Sequence, residues 1–279
     1  MKICAIIVLY KQNNELFQKV INSIEPQVDS IIIIDNNENQ DFFPSIDKCN
    51  YINLNGNKGI AYAQNVGIKI ALENKNDYIL LSDQDTIYPF DYIKRIFKES
   101  QGYKQDILTP VFYDEIKKEY SPIMIEKFKF IEHSDKPIYV KHAIASGTII
   151  KAQVFNEIGL MREDLFIDYV DFEWCWRACS NGFKVLCVPN VIIHHSLGDS
   201  FKKILGKKVC VRSNFRYFYM IRNGYYLSFH CKYLTFKEKT LLLKKTLLLT
   251  IAVFLLRPNF ETIKIIFKAK YLGIQKKLL

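Results

Sequence analysis

Residues 78–85 read YILLSDQD, an apolar run that ends in two aspartates one residue apart. A short apolar run bounded by polar residues is typical of a strand that is covered on both faces of a sheet. Residues 3–9 (ICAIIVL) and 30–34 (SIIII) have the same character, and Gly59–Leu72 has the spacing of a helix. Strands that alternate with helices at this spacing predict an α/β fold with a doubly wound, mostly parallel sheet.

The rest of the chain extends this pattern. We predict further strands and helices as follows: strands at Tyr51–Leu54, Ile107–Phe112, Ile144–Ile150, Val185–Val188 and Val191–His194, and helices at Tyr92–Ser100, Ala152–Ile158 and Asp171–Asn181. Residues 113–141 are polar and predict a hairpin or a loop over the sheet. The chain beyond about residue 200 is basic and is predicted to be mostly helical. We therefore expect one domain over 1–225 and a basic helical extension over 226–279.

The charge of the chain is concentrated at one end. The 279 residues include 39 Lys and Arg against 29 Asp and Glu, a formal charge of +10. Residues 201–279 hold 18 of the basic residues and only two acids, Glu238 and Glu261. The composition excludes a disordered, collagenous or disulfide-dense chain, and the basic end predicts an anionic partner.

The cysteines and the apolar runs bear on the cellular compartment. The seven cysteines include no C-x-x-C pair, which predicts reduced thiols in the cytosol. The chain opens directly into a strand without the pattern of a signal peptide. The longest uncharged apolar run, Thr246–Leu256, is shorter than the roughly 20 residues of a membrane-spanning helix.

Carboxylates follow two of the buried strands. Ligands of open parallel sheets bind beyond the carboxyl ends of the strands, where Asp35, Asp83 and Asp85 are expected. Asp35 begins Asp-Asn-Asn, so a turn-forming role is open as well. Asp83 and Asp85 repel each other and need a cation or hydrogen-bond donors, and a hard divalent ion bridging them to a diphosphate would serve.

Small residues recur in NKGIAYAQNVG, residues 57–67. Gly59 allows a tight turn, and Ala63 and Gly67 share a helical face that could pack closely on the sheet. The polar Asn57 and Asn65 are harder to explain as packing.

Acids and aromatics are densest in DLFIDYVDFEWCWR, residues 164–177. Aromatic faces and carboxylates together suit a sugar site, and a carboxylate held against such walls has a raised pKa and could act as a general base. Glu173 and Arg177 have the spacing of a helical ion pair, which leaves Asp171 as the better candidate base. His194 and His195 follow a strand, where one could bind a metal and either could be structural.

In their order, these segments resemble family 2 glycosyltransferases of the GT-A fold, and most closely a bacterial rhamnosyltransferase-like branch. The resemblance spans about residues 3–225, with a nucleotide-sugar half at about 1–112 and an acceptor half at about 142–225. The matching segments are AIIVLYK (5–11), IIIIDNN (31–37), NKGIAYAQNVGI (57–68), LLSDQDT (80–86), ASGTII (145–150), FIDYVDFEWCWRA (166–178), HHSLG (194–198) and YFYMIRN (217–223).

The resemblance implies a role for each matching residue. On the donor side, the implied roles are a base pocket at Leu9 and Tyr10, a nucleobase contact at Asp35, nucleoside contacts at Asn57 and Gly59, a ribose or metal contact at Asp83, and metal ligation at Asp85, with His195 near the metal. On the acceptor side, they are a sugar and acceptor pocket at Ser146, Gly147 and Trp174, and the general base at Asp171. Val170 stands where many relatives have a glutamate, so Asp168 or Glu173 would have to contact the acceptor hydroxyls.

The family reaction that this implies is an inverting transfer with Mg²⁺ or Mn²⁺. The donor would be a dTDP- or UDP-linked sugar, with L-rhamnose favoured by the branch. The acceptor would be a saccharide, expected to be lipid-linked, in bacterial surface polysaccharide synthesis such as that of O-antigen or capsule.

The basic end carries an apolar stripe at Phe260, Ile263, Phe267, Tyr271, Ile274 and Leu278, with lysines beside it. This pattern suits a helix lying on an anionic membrane surface, although helix packing or dimerisation would also use it. We therefore expect a cytoplasmic protein on the inner face of the bacterial membrane.

Three alternative functions fit the sequence less well. A sugar nucleotidyltransferase would need a glycine-rich basic loop where residues 9–13 read LYKQN. A nucleic-acid-binding protein would need exposed aromatics interleaved with basic residues, so we expect no nucleic-acid partner. A non-catalytic sugar-binding scaffold would not need Asp83, Asp85 and Asp171 together.

Overall fold

The computed structural model describes residues 1–38, 48–115, 118–195, 200–204 and 207–275. In these residues the strands are β1 (Ile3–Leu9), β2 (Ser30–Asp35), β3 (Cys49–Asn53), β4 (Tyr78–Asp83), β5 (Thr86–Ile87), β6 (Ile107–Asp114), β7 (Glu119–Tyr120), β8 (Ile123–Glu126), β9 (Lys129–Ile131), β10 (Ile138–Val140), β11 (Thr148–Lys151), β12 (Val185–His195), β13 (Ser200–Ile204) and β14 (Lys207–Val211). The α-helices are α1 (Asn14–Ile24), α2 (Ile60–Glu73), α3 (Tyr92–Glu99), α4 (Ala152–Ile158), α5 (Val170–Ser180), α6 (Asn214–His230), α7 (Phe236–Leu256) and α8 (Phe260–Ile274).

The central sheet has the strand order β10-β12-β6-β11-β4-β1-β2-β3. The pairs β1–β2, β1–β4, β2–β3 and β6–β12 are parallel, whereas β11 runs antiparallel between β4 and β6. This mixed, mostly parallel sheet confirms the predicted fold class. The segment 113–141 contributes four short strands, β7, β8, β9 and β10. The separate strands predicted on either side of Pro189 are one strand, β12, with an irregularity between Val188 and Ile192.

Helices cover both faces of the sheet. Alternate residues of β1 enter opposite cores: Ile6 packs in the core shared with α2, α4 and α5, and Ile7 in the core shared with α1 and α3. Every residue of β1 is buried, as its continuous apolar run predicts. A Cβ on Gly67 would lie 2.6 Å from Ile6 Cγ2, which confirms that α2 packs closely on the sheet.

The basic end of the chain is not helical throughout. β13 and β14 pair antiparallel, where helix was predicted. Strands as short as KKVCV carry too little periodicity to be told from a helix. The predicted domain boundary at residue 225 lies inside α6.

Three helices, α6, α7 and α8, form the C-terminal part of the chain. α6 packs against both α7 and α8, and Leu234 and Leu242 belong to the same apolar core as α2 and α5. Within the described part of the chain, no helix combines the length and the hydropathy that a membrane span requires.

Candidate active site

The sheet brings carboxylates from neighbouring strands to one edge. In the parallel register, Leu9 of β1 lies opposite Asp35 of β2, and Val8 lies opposite Asp83 of β4. Asp35 and Asp83 therefore flank the carboxyl end of β1. Asp85 follows two residues after Asp83, and both are partly buried. This edge is where ligands bind in open α/β sheets.

Asp35 is buried, and both oxygens of its carboxylate accept hydrogen bonds. It accepts hydrogen bonds at Oδ1 from the backbone N of Asn37 (2.9 Å) and from Asn37 Nδ2 (2.7 Å). The Tyr51 hydroxyl donates to Oδ2. The Asp-Asn-Asn turn, which was one interpretation of Asp35 from the sequence, is therefore present. It fixes the orientation of the Asp35 carboxylate. Tyr51 was not among the predicted site residues, because nothing in a short strand indicates which aspartate its hydroxyl will reach.

A polar network joins this turn to the start of α2. Asn36 Nδ2 donates to Asn57 Oδ1 (3.1 Å), and Asn36 Oδ1 accepts from the backbone N of Lys58 (2.7 Å). Asn57 Oδ1 also accepts from the backbone N of Gly59 (3.0 Å). Gly59 has φ +89°, and a Cβ there would lie 2.7 Å from Phe166 Cδ2, so only glycine fits. Asn57 and Gly59 therefore lie beside the turn that follows Asp35.

Two hydrogen bonds between Tyr10 and Gln84 join the end of β1 to the segment that carries Asp83 and Asp85. The backbone N of Tyr10 donates to Gln84 Oε1 (2.8 Å), and Gln84 Nε2 donates to the Tyr10 carbonyl (3.0 Å). The ring of Tyr10 is exposed at this edge, whereas the side chain of Leu9 is fully buried in the α1–α3 core. Leu9 therefore contributes its backbone to this edge, and its side chain lines no open base pocket. Gln84 was missed because its only signal is its place between two candidate aspartates.

Ser146 and Gly147 lie beneath Asp83. The Ser146 hydroxyl is buried, hydrogen-bonds with the Thr86 hydroxyl and lies 3.3 Å from the backbone N of Asp83, which donates to it. Gly147 has φ +77°, and a Cβ there would lie 2.7 Å from Ile193 Cδ1. These two residues support the loop that carries Asp83 and Asp85.

Asp171, in the first turn of α5, has a carboxyl group with a raised pKa. Burial raises its pKa to about 7, although the backbone N of Phe172 donates to its Oδ1 (2.9 Å) and opposes the shift. The negative charges of Asp83 and Asp168 raise this pKa further. The first turn of α5 thus places Asp171 within electrostatic reach of the aspartate of β4, and a pKa near neutrality is what a general base needs.

The other predicted acceptor-side residues fall into two groups. Asp168 stays at the edge and forms an ion pair with Arg216 of α6 (Nη2–Oδ1, 3.2 Å). Glu173 and Trp174, by contrast, are each 1% exposed. Glu173 pairs with Arg177 (3.2 Å), and Trp174 Nε1 donates to the Gly159 carbonyl (2.9 Å). They stabilise the core and line no open sugar pocket, because α5 is buried on more than one side.

A divalent cation fits the donor set at this edge. Two carboxylates plus the oxygens of a substrate diphosphate are a common set for Mg²⁺. Asp83 and Asp85 supply such oxygens. The described residues contain no ready-made group of three His, Cys, Asp or Glu side chains for a metal. The backbone of His195 pairs with Thr86, next to Asp85, and its side chain lies outside the described part of the chain.

Comparison with known proteins identifies the family. A family model described as glycosyl transferase family 2 matches residues 4–159. The dTDP-rhamnosyl transferase RfbF of Shigella flexneri is 34% identical over 235 residues, which are 81% of this chain and 79% of that protein. This chain is a family 2 glycosyltransferase. The low-salt glycan biosynthesis hexosyltransferase Agl10 of Haloferax volcanii is 27% identical over 188 residues, 62% of this chain and 60% of that protein.

Solved structures support the GT-A fold of this glycosyltransferase. TarS of S. aureus superimposes with a TM-score of 0.67 at 14% identity, over 99% of this chain and 49% of that one. GalNAc-T7, solved with UDP, GalNAc and Mn²⁺, superimposes with a TM-score of 0.59 at 12% identity, over 88% of this chain and 54% of that one. This glycosyltransferase therefore spans about half the length of these two structures.

Proposed function

We propose that this glycosyltransferase moves a sugar, L-rhamnose, from a nucleotide-diphospho-sugar to a hydroxyl group of a saccharide acceptor with inversion at the anomeric carbon. The observation that carries the proposal is Asp171, a carboxylate with a pKa of about 7 that is coupled electrostatically to Asp83. A base at neutral pH on the acceptor side, facing the carboxylates that hold the donor, is the arrangement that a single direct displacement needs.

The residues of the donor edge have separate tasks in this proposal. Asn57 contacts the nucleoside, with Tyr10 beside the base, and the buried Asp35 and Gly59 hold the turn that carries these contacts. Asp83 and Asp85, with His195, would hold Mg²⁺ or Mn²⁺. When bound, such a cation neutralises negative charge on the departing diphosphate.

On the acceptor side, Asp171 accepts the proton of the attacking hydroxyl as the new glycosidic bond forms and the bond to the diphosphate breaks. No side chain forms a covalent intermediate in a single displacement. Asp168 contacts the acceptor hydroxyls, because Val170 brings no carboxylate. This assignment drops Glu173 and Trp174, since both are buried.

The donor is proposed from the relatives. RfbF is named a dTDP-rhamnosyl transferase, which supports dTDP-rhamnose here. A solved complex of TarS contains UDP-GlcNAc, so a UDP-linked sugar is the second candidate. We expect dTDP with Mg²⁺ or Mn²⁺ to raise Tm more than UDP does, and a larger shift with UDP would reverse the order.

The proposed base is tested by Asp171→Asn. We expect this variant to lose at least about 10²-fold in kcat, because a base contributes typically 10²–10⁴-fold, while its affinity for the nucleotide stays unchanged. Asp135→Asn is the control, because Asp135 is exposed and lies outside the site. Near-normal turnover of Asp171→Asn would remove Asp171 as the base, and full activity in EDTA would remove the metal.

The proposed acceptor is lipid-linked, and the proposed location is the inner face of the bacterial membrane, where surface polysaccharides such as O-antigen or capsule are built. The support is the outer surface of α7 and α8. Phe267 and Tyr271 of α8 are exposed, and Lys264 and Lys268 lie beside them. An apolar face flanked by lysines suits an anionic lipid surface.

A further inference from the structure

The loop between residues 164 and 169 has an unfavourable backbone. Phe166, Asp168 and Tyr169 have φ values of +63°, +62° and +65°. Each such conformation costs of the order of 1–3 kcal/mol in a residue other than glycine, and it persists only where the surroundings hold it. This loop leads directly into α5, of which Asp171 is the second residue.

Two adjacent residues of α6 hold this loop through its carbonyl oxygens. Arg222 Nη2 donates to the carbonyls of Asp164 (2.7 Å) and Leu165 (3.0 Å). Asn223 Nδ2 lies within hydrogen-bond distance of three carbonyls, those of Leu165 (2.9 Å), Ile167 (2.8 Å) and Asp168 (3.0 Å).

The Phe166 carbonyl of the loop is bound by α2 rather than by α6. The Phe166 carbonyl accepts a hydrogen bond from the backbone N of Ile60 (2.8 Å), at the start of α2. Five successive carbonyls, from residue 164 to residue 168, are therefore all satisfied, four of them by α6 and one by α2. Buried carbonyls need such partners, and here the partners also determine the path of the loop.

The two α6 side chains are themselves fixed. Arg222 is 1% exposed and Asn223 is fully buried. Arg222 Nε donates to Asn223 Oδ1 (2.9 Å), and the guanidinium lies 4.6 Å from the ring centroid of Tyr219. Tyr219 in turn stacks on Phe166 of the loop, with centroids 4.6 Å apart and an interplanar angle of 12°. The loop is thus held at its backbone and at one of its side chains.

We propose that Arg222 and Asn223 are positioning residues for catalysis, which hold the 164–169 loop in its strained path and so place Asp171 against the donor edge. Neither side chain contacts the carboxyl group of Asp171. They act through the backbone that leads into α5. The inference rests on the proposed role of Asp171 as the base.

The test uses Arg222→Lys and Asn223→Ser in the full-length protein. A lysine cannot span the carbonyls of Asp164 and Leu165 together, and a serine cannot reach the three that Asn223 serves. We expect kcat to fall about tenfold or more, since a misplacement of 1 Å can cost about 10² in rate. We expect the Kd for dTDP or UDP with Mg²⁺ to change by less than about threefold, so that binding and turnover separate.

Hydrogen–deuterium exchange locates the change in the 164–169 loop, which a general loss of stability would not do. Amides of residues 164–171 should exchange faster in both variants, while the strands β1, β2 and β4 keep their protection. Arg177→Lys is the matched control, because Arg177 is a largely buried arginine that donates to other carbonyls, those of Ile158 and Leu160. It should lower Tm without this local change.

The outcomes separate the two proposals. Folded Arg222→Lys and Asn223→Ser proteins with kcat within about twofold of the parent, or with unchanged exchange at 164–171, overturn the positioning role. If one variant does not fold, the other decides. An active Asp171→Asn protein would instead overturn the base, whatever the α6 variants do.

Discussion

The raised pKa of Asp171 has a direct consequence for the pH dependence of the reaction. The base must be ionised to accept a proton, and burial raises its pKa to about 7. We expect kcat/KM to fall as the pH drops through this value, because the protonated fraction of Asp171 is inactive. Initial rates from about pH 5.5 to 9 would measure this acid limb.

A cation bound at Asp83 would offset the part of the Asp171 pKa shift that comes from the charge of Asp83. The acid limb of the pH profile therefore moves somewhat below pH 7 when Mg²⁺ is saturating. Burial, the larger cause, is unaffected by the cation. An acid limb at the ordinary aspartate value, near 4, would contradict the environment described for Asp171.

The same shift predicts how Asp171 affects stability. Its pKa is 3.8 in an ordinary environment and about 7 in the fold, so between these values the folded state binds more protons than the unfolded state. Stability due to this group is therefore present at low pH and is lost as the pH rises through 7. We expect Asp171→Asn to have a higher Tm than the parent at about pH 8, with a difference that vanishes toward about pH 4. A variant less stable than the parent at pH 8 would show that the ionised carboxylate is not penalised.

The residue types in the sequence were enough to locate the edge of the sheet that carries the candidate site. They were not enough to identify every side chain at that edge. Asp35, Asp83 and Asp171 were predicted from acids that follow strands or begin a helix, and the structure brings them to one edge. Glu173 and Trp174 were predicted from the same aromatic and acidic segment, yet both are buried. A helix that packs on several sides offers no apolar stripe from which its one open face could be read.

At the scale of elements, prediction succeeded where periodicity was strong. The bounds of β1 and α4 agree with those predicted, because a continuous apolar run and a well-spaced amphipathic segment leave one interpretation. The short strands β7, β8, β9 and β10 were not separated in the sequence. Two to four residues are too few to show a period, and their pairing depends on partners distant in the chain.

α6 gives a prediction of its own, because its Gly224 allows α7 to approach closely. A Cβ on Gly224 would lie 2.9 Å from Thr246 Cγ2 of α7 and closer still to its hydroxyl oxygen. We expect Gly224→Ala to lower the free energy of unfolding by about 1–3 kcal/mol, the usual cost of overpacking, as measured by urea denaturation.

The second-site control is Gly224→Ala combined with Thr246→Ala. Removing Oγ1 and Cγ2 of Thr246 leaves its Cβ at 3.2 Å from the added methyl group, a contact that a small shift relieves. The double variant should therefore recover part of the loss relative to Thr246→Ala alone. Equal costs in both backgrounds would mean that this contact does not limit how closely α6 and α7 pack.

At the scale of the molecule, the net charge of +10 is the sum of two regions that differ in charge. The sheet edge concentrates carboxylates, whereas residues 201–279 contain 18 basic residues and two acids. The predicted apolar stripe of α8 is exposed at Phe260, Phe267, Tyr271 and Ile274, and α7 adds Leu248 and Ile251. The opposite side of α8 packs on α6, where a Cβ on Gly273 would lie 2.5 Å from the Arg222 carbonyl. The sequence showed the stripe but could not show which side of α8 would face α6.

This arrangement predicts binding to anionic membranes. We expect the full-length protein to sediment with vesicles that contain phosphatidylglycerol, to sediment much less with pure phosphatidylcholine, and to be released by salt, which screens the lysines. Phe267→Ser combined with Tyr271→Ser should weaken binding through lost apolar burial, and Lys264→Glu should weaken it several-fold, since each basic residue near such a surface contributes about 1 kcal/mol.

The matched control is Phe90→Ser, because Phe90 is 90% exposed but precedes α3 and does not belong to α7 or α8. It should bind vesicles as the parent does. Dimerisation is the competing use of the same surface, and sedimentation velocity separates the two. If the parent ignores anionic vesicles and the Phe267 and Tyr271 substitutions convert a dimer to a monomer, the exposed face is a subunit interface. Binding to an anionic lipid surface requires both the lysines and the aromatics, whereas the lysines oppose a dimer of two like-charged faces. Lys264→Glu should therefore weaken vesicle binding but strengthen dimerisation.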